Sequence, residues 1–159
     1  MMLSLYKMNI KGGSMMNITF CDHIYDEDEI LALYESVGWT NYTHDLNMLK
    51  NAYQHSLCII SAYVEKKLVG VIRAIGDGYS MIYIQDLIVH PDYQKRGIGK
   101  VLIKMLLEKY KNVYQIILLS DEDNTGFYEK TGFKKASDMG CCTFIKNEGK
   151  IRYGCKCMF

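Results

Sequence analysis

The stretch Tyr83-Ile-Gln-Asp-Leu-Ile-Val-His-Pro-Asp-Tyr-Gln-Lys-Arg-Gly-Ile-Gly-Lys100 leaves this chain few ways to fold. Ile82, Ile84, Leu87, Ile88 and Val89 supply the aliphatic bulk of a buried strand over Met81–Val89. Pro91 stops that strand, because proline has no N–H to give a ladder. Gly97 and Gly99 then remove Cβ atoms where the backbone must come close to a ligand. From Ile98 onward, Ile98, Leu102, Met105 and Leu106 recur at helical spacing, with Lys100, Lys104 and Glu108 on the other side. A helix starting at such a loop aims several N–H groups and the positive end of its dipole at one point. That is an anion site, and a pyrophosphate suits it.

Two other phosphate loops are excluded. A P-loop would need glycine at Gln94 and a hydroxyl residue at Val101, and a dinucleotide G-x-G-x-x-G would need glycine at Leu102. What remains is Gln94-Lys-Arg-Gly-Ile-Gly99, directly after a strand ending in Val-x-Pro. This run resembles the acetyl-CoA pyrophosphate loop of the GNAT superfamily of N-acyltransferases. Further on, Asn124-Thr-Gly-Phe-Tyr-Glu-Lys-Thr-Gly-Phe133 is similar to that family's N-x-x-A/G-x-x-F/L-Y-x-x-x-G-F segment in a shortened form. The two motifs have the family's order and spacing, and the resemblance extends over roughly residues 17–146.

The chain suits one domain with a continuous core, at 159 residues of which 49% are hydrophobic. Its net charge of +1 gives no global case for nucleic acid or an acidic membrane, while Lys95, Arg96 and Lys100 cluster where phosphates are expected. No apolar run approaches the ~18–20 residues of a bilayer span, and no signal-peptide pattern opens the chain. A soluble cytoplasmic protein is the reading. Six cysteines are not needed as a disulfide framework in a domain of this size. Cys21 and Cys58 fall in expected strands as small buried hydrophobes. Cys141-Cys142 and Cys155-x-Cys157 lack the spacing of common zinc sites, so no metal is expected.

Residues 1–16, with Gly12-Gly-Ser14 and Met15-Met16, read as an N-terminal extension, disordered or non-native, ahead of a single domain over 17–159. Within that domain, Asn17–Cys21 reads as a strand. A helix capped by Asp26 or Asp28 ends at Gly38, Trp39–Tyr42 is a loop, and a second helix capped by Thr43 runs to about Gln54 with Leu46, Leu49 and Tyr53 buried. Leu57–Val64 and Lys67–Ile75 form a hairpin about Glu65-Lys66. Val113–Leu119 is another strand, Asn124–Thr131 a short helix, and Phe133–Ala136 and Cys142–Ile145 closing strands, with 147–159 a tail. The element order predicts an α/β (α+β) fold in which a mixed, mostly antiparallel seven-stranded sheet is flanked by helices.

The resemblance implies more. The central strand and the Val113 strand would be parallel neighbours that splay apart, with acetyl-CoA as acyl donor lying in the gap. The donor would be held by the backbone edge of Leu87, Ile88 and Val89, by Gln94, Lys95, Arg96, Gly97, Ile98, Gly99 and Lys100, and by Asn124, Phe127 and Tyr128. The reaction implied is N-acetylation of a small primary amine by direct attack in a ternary complex. Alternatives are a protein or peptide N-acetyltransferase and a non-catalytic acyl-CoA-binding module. Tyr128 is the candidate acid, since a phenol of ordinary pKa about 10 is protonated at neutral pH and can hydrogen-bond to sulfur. Asp86, an acid in an otherwise apolar strand, is the candidate base or amine anchor. Trp39 and Tyr42 offer aromatic faces to an amine. A homodimer, with Cys141–Phe159 as a contact, is a further expectation from the resemblance.

Overall fold

The computed structural model describes residues 4–9, 15–24 and 26–146. The 147–159 tail, Cys155 and Cys157 among it, lies outside the described residues, as do 1–3 and 10–14. The chain divides into two compact units, residues 1–119 and 120–159, each described by itself.

The first unit is built on one six-stranded sheet in simple sequence order: β1 (Ser4–Asn9), β2 (Met15–Cys21), β3 (Cys58–Val64), β4 (Lys67–Gly76), β5 (Met81–Val89) and β6 (Gln115–Leu118). Neighbours β1 to β5 are antiparallel, and β5 and β6 are parallel. The segment read as preceding the domain therefore contributes a strand, Ser4–Asn9, paired in register with Met15–Phe20. The β3–β4 hairpin turns at Glu65 and Lys66, both at positive φ (49° and 68°), as a two-residue turn matched to strand twist requires.

Helices cover both faces. α1 (Glu27–Ser36) is capped by Asp26, whose Oδ1 accepts the Asp28 N–H at 2.9 Å. The expected loop at Trp39–Tyr42 is a single helical turn, α2 (Thr40–Thr43). The cap of α3 (Leu46–Gln54) is Asp45, which accepts the Met48 N–H at 2.9 Å, and not Thr43, which ends α2. Leu49 and Tyr53 face the core as expected, whereas Leu46 is 43% exposed because it opens the helix on the solvent side. α4 (Ile98–Lys109) buries Ile98, Leu102, Ile103 and Leu106, each contributing about 1.5–3 kcal/mol. The face it covers is marked by Gly70, where an added Cβ would meet Ile98 Cγ2 at 3.3 Å. Three residues on, Arg73 points to the opposite face, toward α3.

The second unit holds a 3-10 turn at Glu122–Asn124, the short helix α5 (Thr125–Glu129) and a 3-10 turn at Ala136–Met139. Neither closing strand forms, so the described sheet has six strands and not seven. The backbone finds local partners instead: Gly140 N–H donates to Ser137 O at 3.1 Å and Cys141 N–H to Ala136 O at 2.9 Å, and 141–146 has no regular structure. Asn124 precedes α5 without capping it through its side chain.

Between β4 and β5, Gly76 adopts φ 137°, and an added Cβ would lie 2.2 Å from the Met81 carbonyl oxygen. Gly76→Ala should destabilise the protein by about 2–4 kcal/mol, read from urea unfolding. A midpoint equal to that of the wild type would contradict the hairpin geometry.

Candidate active site

β5 is paired on both sides only along its first half. Its parallel register with β6 runs from Met81↔Gln115 to Ile84↔Leu118, while β5 continues to Val89 beside β4. Pairing with β6 therefore stops at Ile84, where β6 ends, and this point is termed the fork. At that fork Gln85 is an extra residue, because Asp86 faces Arg73 and Ile84 faces Ala74.

The bulge changes which residues look away from β4. Before it, Ser80 accepts the Gln115 N–H at 3.1 Å, so even-numbered residues turn toward β6. After it, His90 N–H donates to Val69 O at 2.8 Å, which puts residues 90, 88 and 86 in the β4 ladder. Leu87 and Val89 thus turn their polar groups to the open side, and Ile88, expected with them, turns its own to β4. The Gln94 side chain folds back and donates to Val89 O at 2.9 Å.

The loop that follows brings an anion-binding arrangement to the end of the same strand. Pro91–Tyr93 make a 3-10 turn, Lys95 is left-handed at φ 58°, and Gly97 at φ 88° starts α4. Val101 N–H to Gly97 O, at 3.1 Å, is the first bond of the helix, so the N–H groups of Ile98, Gly99 and Lys100 have no partner within it. Lys95 and Lys100 are exposed, and the Arg96 guanidinium sits 5.4 Å from the Tyr93 ring centre.

Asp86 is not available as the structure places it. Its carboxylate is fully buried, and Oδ2 accepts from Arg73 Nε in an ion pair whose partners face each other across the β4–β5 ladder. Arg73 continues to Ser56 Oγ (3.3 Å) and Ala52 O (3.4 Å), and lies over the Tyr53 ring at 5.3 Å. Burial raises the Asp86 carboxyl above its usual range, and the Arg73 charge opposes that rise. The Tyr34 phenol is also raised, by burial first, then by Tyr53 and Asp86. An acid sealed in this way does not meet an amine, so the expectation of a base or anchor at Asp86 is corrected to a structural pair.

Trp39 is 7% exposed and packs edge-on against Tyr34 at 5.6 Å, so it plugs the helical layer and does not present a face to a substrate. Tyr42 is half-buried, and its hydroxyl accepts from Gln85 Nε2 at 3.3 Å. Arg73 and Gln85 are the residues that reading the sequence missed. Arg73 had a signal, a lone cation in the apolar run Leu68–Ile75 opposite Asp86 in hairpin register.

In the second unit, Tyr128 is 7% exposed and stacks edge-on with Phe127 (5.1 Å) and Phe133 (6.0 Å). Burial, then the charge of Asp121, pushes its phenol up to about 12. Its carbonyl oxygen accepts from Thr131 Oγ1 at 2.8 Å and Phe133 N–H at 3.1 Å.

The model of the acetyltransferase (GNAT) family matches residues 21–133, from the end of β2 through both motifs. The chain belongs to this family. It is 37% identical over 116 residues to an uncharacterized N-acetyltransferase of Pyropia yezoensis, covering 69% of this chain and 66% of that protein. It is 30% identical over 115 residues to a chloroplastic GCN5-related N-acetyltransferase of Arabidopsis thaliana, covering 70% of this chain and 57% of that one. The match thus spans just under two thirds of one curated relative and little more than half of the other. Among solved structures, a GNAT-family acetyltransferase from Streptococcus pneumoniae superposes with a TM-score of 0.74 at 40% identity, covering 83% of this chain and 98% of that one. The acetyltransferase family is one of acyl-transferring enzymes, and this chain has its α+β fold. Among the described residues no helix is long and apolar enough to cross a membrane.

Arg73→Met leaves Asp86 buried without its counter-charge and should cost about 3–5 kcal/mol at neutral pH. The sign with pH follows from the raised Asp86 carboxyl: the folded state then binds a proton that the unfolded chain, with a pKa near 3.9, releases. The variant's deficit should therefore shrink as pH falls toward 4, read from urea unfolding at several pH values. A deficit independent of pH would contradict the assignment.

Proposed function

We propose that this protein transfers the acetyl group of acetyl-CoA to the primary amine of a small molecule, by direct attack in a ternary complex. The observation that carries the reading is the fork: an open β5 edge presenting Leu87 and Val89, followed at once by the N-terminus of α4. An extended pantetheine arm carries amides that can bond to such an edge as an added strand does. Its pyrophosphate meets the N–H groups of Ile98, Gly99 and Lys100, with Lys95, Arg96 and Lys100 adding positive charge. Family membership supports acetyl-CoA as the donor.

In this reading the Leu87 N–H polarises the thioester carbonyl, and the held geometry replaces a random encounter by a fixed approach of amine to carbonyl carbon. The ammonium first gives a proton to solvent. The neutral amine then attacks to form the C–N bond, and collapse breaks the C–S bond. The second proton leaves nitrogen for solvent, from which the departed thiolate is protonated. Tyr128 supplies a hydrogen bond to the leaving sulfur, protonated across the physiological range because its phenol is raised to about 12.

Calorimetric titration with acetyl-CoA tests the donor site. Binding at micromolar concentration is expected, and Gly97→Glu should weaken it by about a hundredfold or more, since it places a carboxylate where phosphate belongs and strains a left-handed position. No binding at millimolar acetyl-CoA would end the transferase reading. Tyr128→Phe should keep donor affinity and lower kcat by about 10–100-fold. With the wild type, no loss of rate from Tyr128 ionisation should be seen up to pH ~10, two units below its phenol pKa of about 12. A Tyr128→Phe variant with full kcat would remove the acid from the scheme.

A further inference from the structure

Gln85 is the residue the bulge adds, and it stands at the fork, between the last residue paired to β6 and the edge residue Leu87. Its half-buried side chain points to the helical face that carries α2, because Nε2 donates to the Tyr42 hydroxyl at 3.3 Å. One pole of the amide is tied to Tyr42, and among the described residues Oε1 has no hydrogen-bond donor. The next residue, Asp86, also turns to the helical face, but it is sealed there against Arg73 and is closed to a ligand. Gln85 Oε1 is thus the acceptor left open on this face, two residues before Leu87, the backbone position that would hold the acetyl carbonyl. The guanidinium on this face is engaged, since Arg73 binds Asp86, Ser56 and Ala52. An acceptor oxygen at a half-buried position gains more from a ligand's N–H than one in bulk water does.

We propose that Gln85 and Tyr42 form the acceptor end of the site: Gln85 Oε1 accepts an N–H of the incoming amine, and Tyr42 fixes the amide in that orientation. Gln85 is the specificity-determining residue and Tyr42 a positioning residue acting through it. The chemistry selects an acceptor that gives an N–H to Gln85 Oε1 and keeps a lone pair for attack, with no anionic group beside the nitrogen, as a primary alkylamine does. This rests on the transferase reading above.

The test is steady-state kinetics of wild type, Gln85→Leu, Gln85→Glu and Tyr42→Phe, with 1-aminobutane and phenethylamine as probes and calorimetric acetyl-CoA binding measured alongside. Gln85→Leu should raise KM for both amines by about tenfold while acetyl-CoA affinity stays within about twofold of wild type. Gln85→Glu, which keeps an acceptor oxygen, should recover a low amine KM, a rescue that a merely structural role does not produce. Tyr42→Phe should raise amine KM by about threefold in the same direction. A Gln85→Leu enzyme with wild-type amine KM, or one whose loss falls on acetyl-CoA, overturns the proposal. So does a wild type that binds acetyl-CoA and acetylates neither amine. Failure of the transferase reading looks different, because wild type itself then binds no acetyl-CoA. If Gln85→Leu does not fold, the Gln85→Glu and Tyr42→Phe pair decides: equal amine KM values in both and wild type overturn the proposal.

Discussion

Everything about this site depends on where the hydrogen bonds of β5 go. A strand in the middle of a sheet must place its N–H and C=O groups on both sides, and a row left unpaired is costly unless something else takes it. β6 takes the row only as far as Ile84. Beyond it, Gln94 takes one carbonyl, that of Val89, and among the described residues no strand pairs with Leu87 on that side. On the proposed reading an extended amide-bearing ligand would take up the row that β6 leaves, as an added strand does.

The bulge decides which residues have that role. Without Gln85 as an extra residue, the alternation seen at Ser80 would continue, and Ile88 would turn its groups to the gap in place of Leu87 and Val89. The Arg73–Asp86 pair sits immediately beside the bulge and reaches into α3 through Ser56 and Ala52. A buried ion pair contributes little net stability against an apolar replacement of the same shape, but one orientation satisfies it far better than others. Its physical consequence here is registry: it locks the bulged point of β5 to β4 and to the helical layer, with Tyr34, Tyr53 and Trp39 closing water out.

Much of this was legible in the residues. The buried strand, the helix from Ile98 and the Glu65-Lys66 hairpin follow from apolar period and turn chemistry, and α4 buries Ile98, Leu102 and Leu106 as its spacing requires. The bulge was not legible, because an inserted residue in an apolar run leaves the period unchanged to the eye while reversing the backbone phase beyond it. For the same reason Asp86 was read as accessible: its partner Arg73 is distant in sequence, and only register brings the two together. The C-terminal segment misled in a different way. Cys142–Ile145 has strand-forming residues, but a strand exists only with a ladder partner, and among the described residues none pairs with it; the local turns close just before it, at 135–141. Trp39 reads equally well as a core plug or a ligand face until burial separates the two.

The leaving group sets a limit on what Tyr128 can do. A thiol of ordinary pKa about 8.5 is a stronger acid than a phenol raised to about 12, so full proton transfer from Tyr128 to the departing thiolate runs uphill by roughly 5 kcal/mol. A hydrogen bond to the developing thiolate carries no such cost and strengthens as negative charge builds on sulfur, which is when stabilisation accelerates the step. If Tyr128 serves the leaving sulfur as proposed, the burial that raises its phenol makes it a poorer proton source and better suited to donate a hydrogen bond. On the proposed reading the proton that nitrogen gives up passes to solvent and solvent protonates the departed thiolate, so the transfer would need no strong acid within the fold.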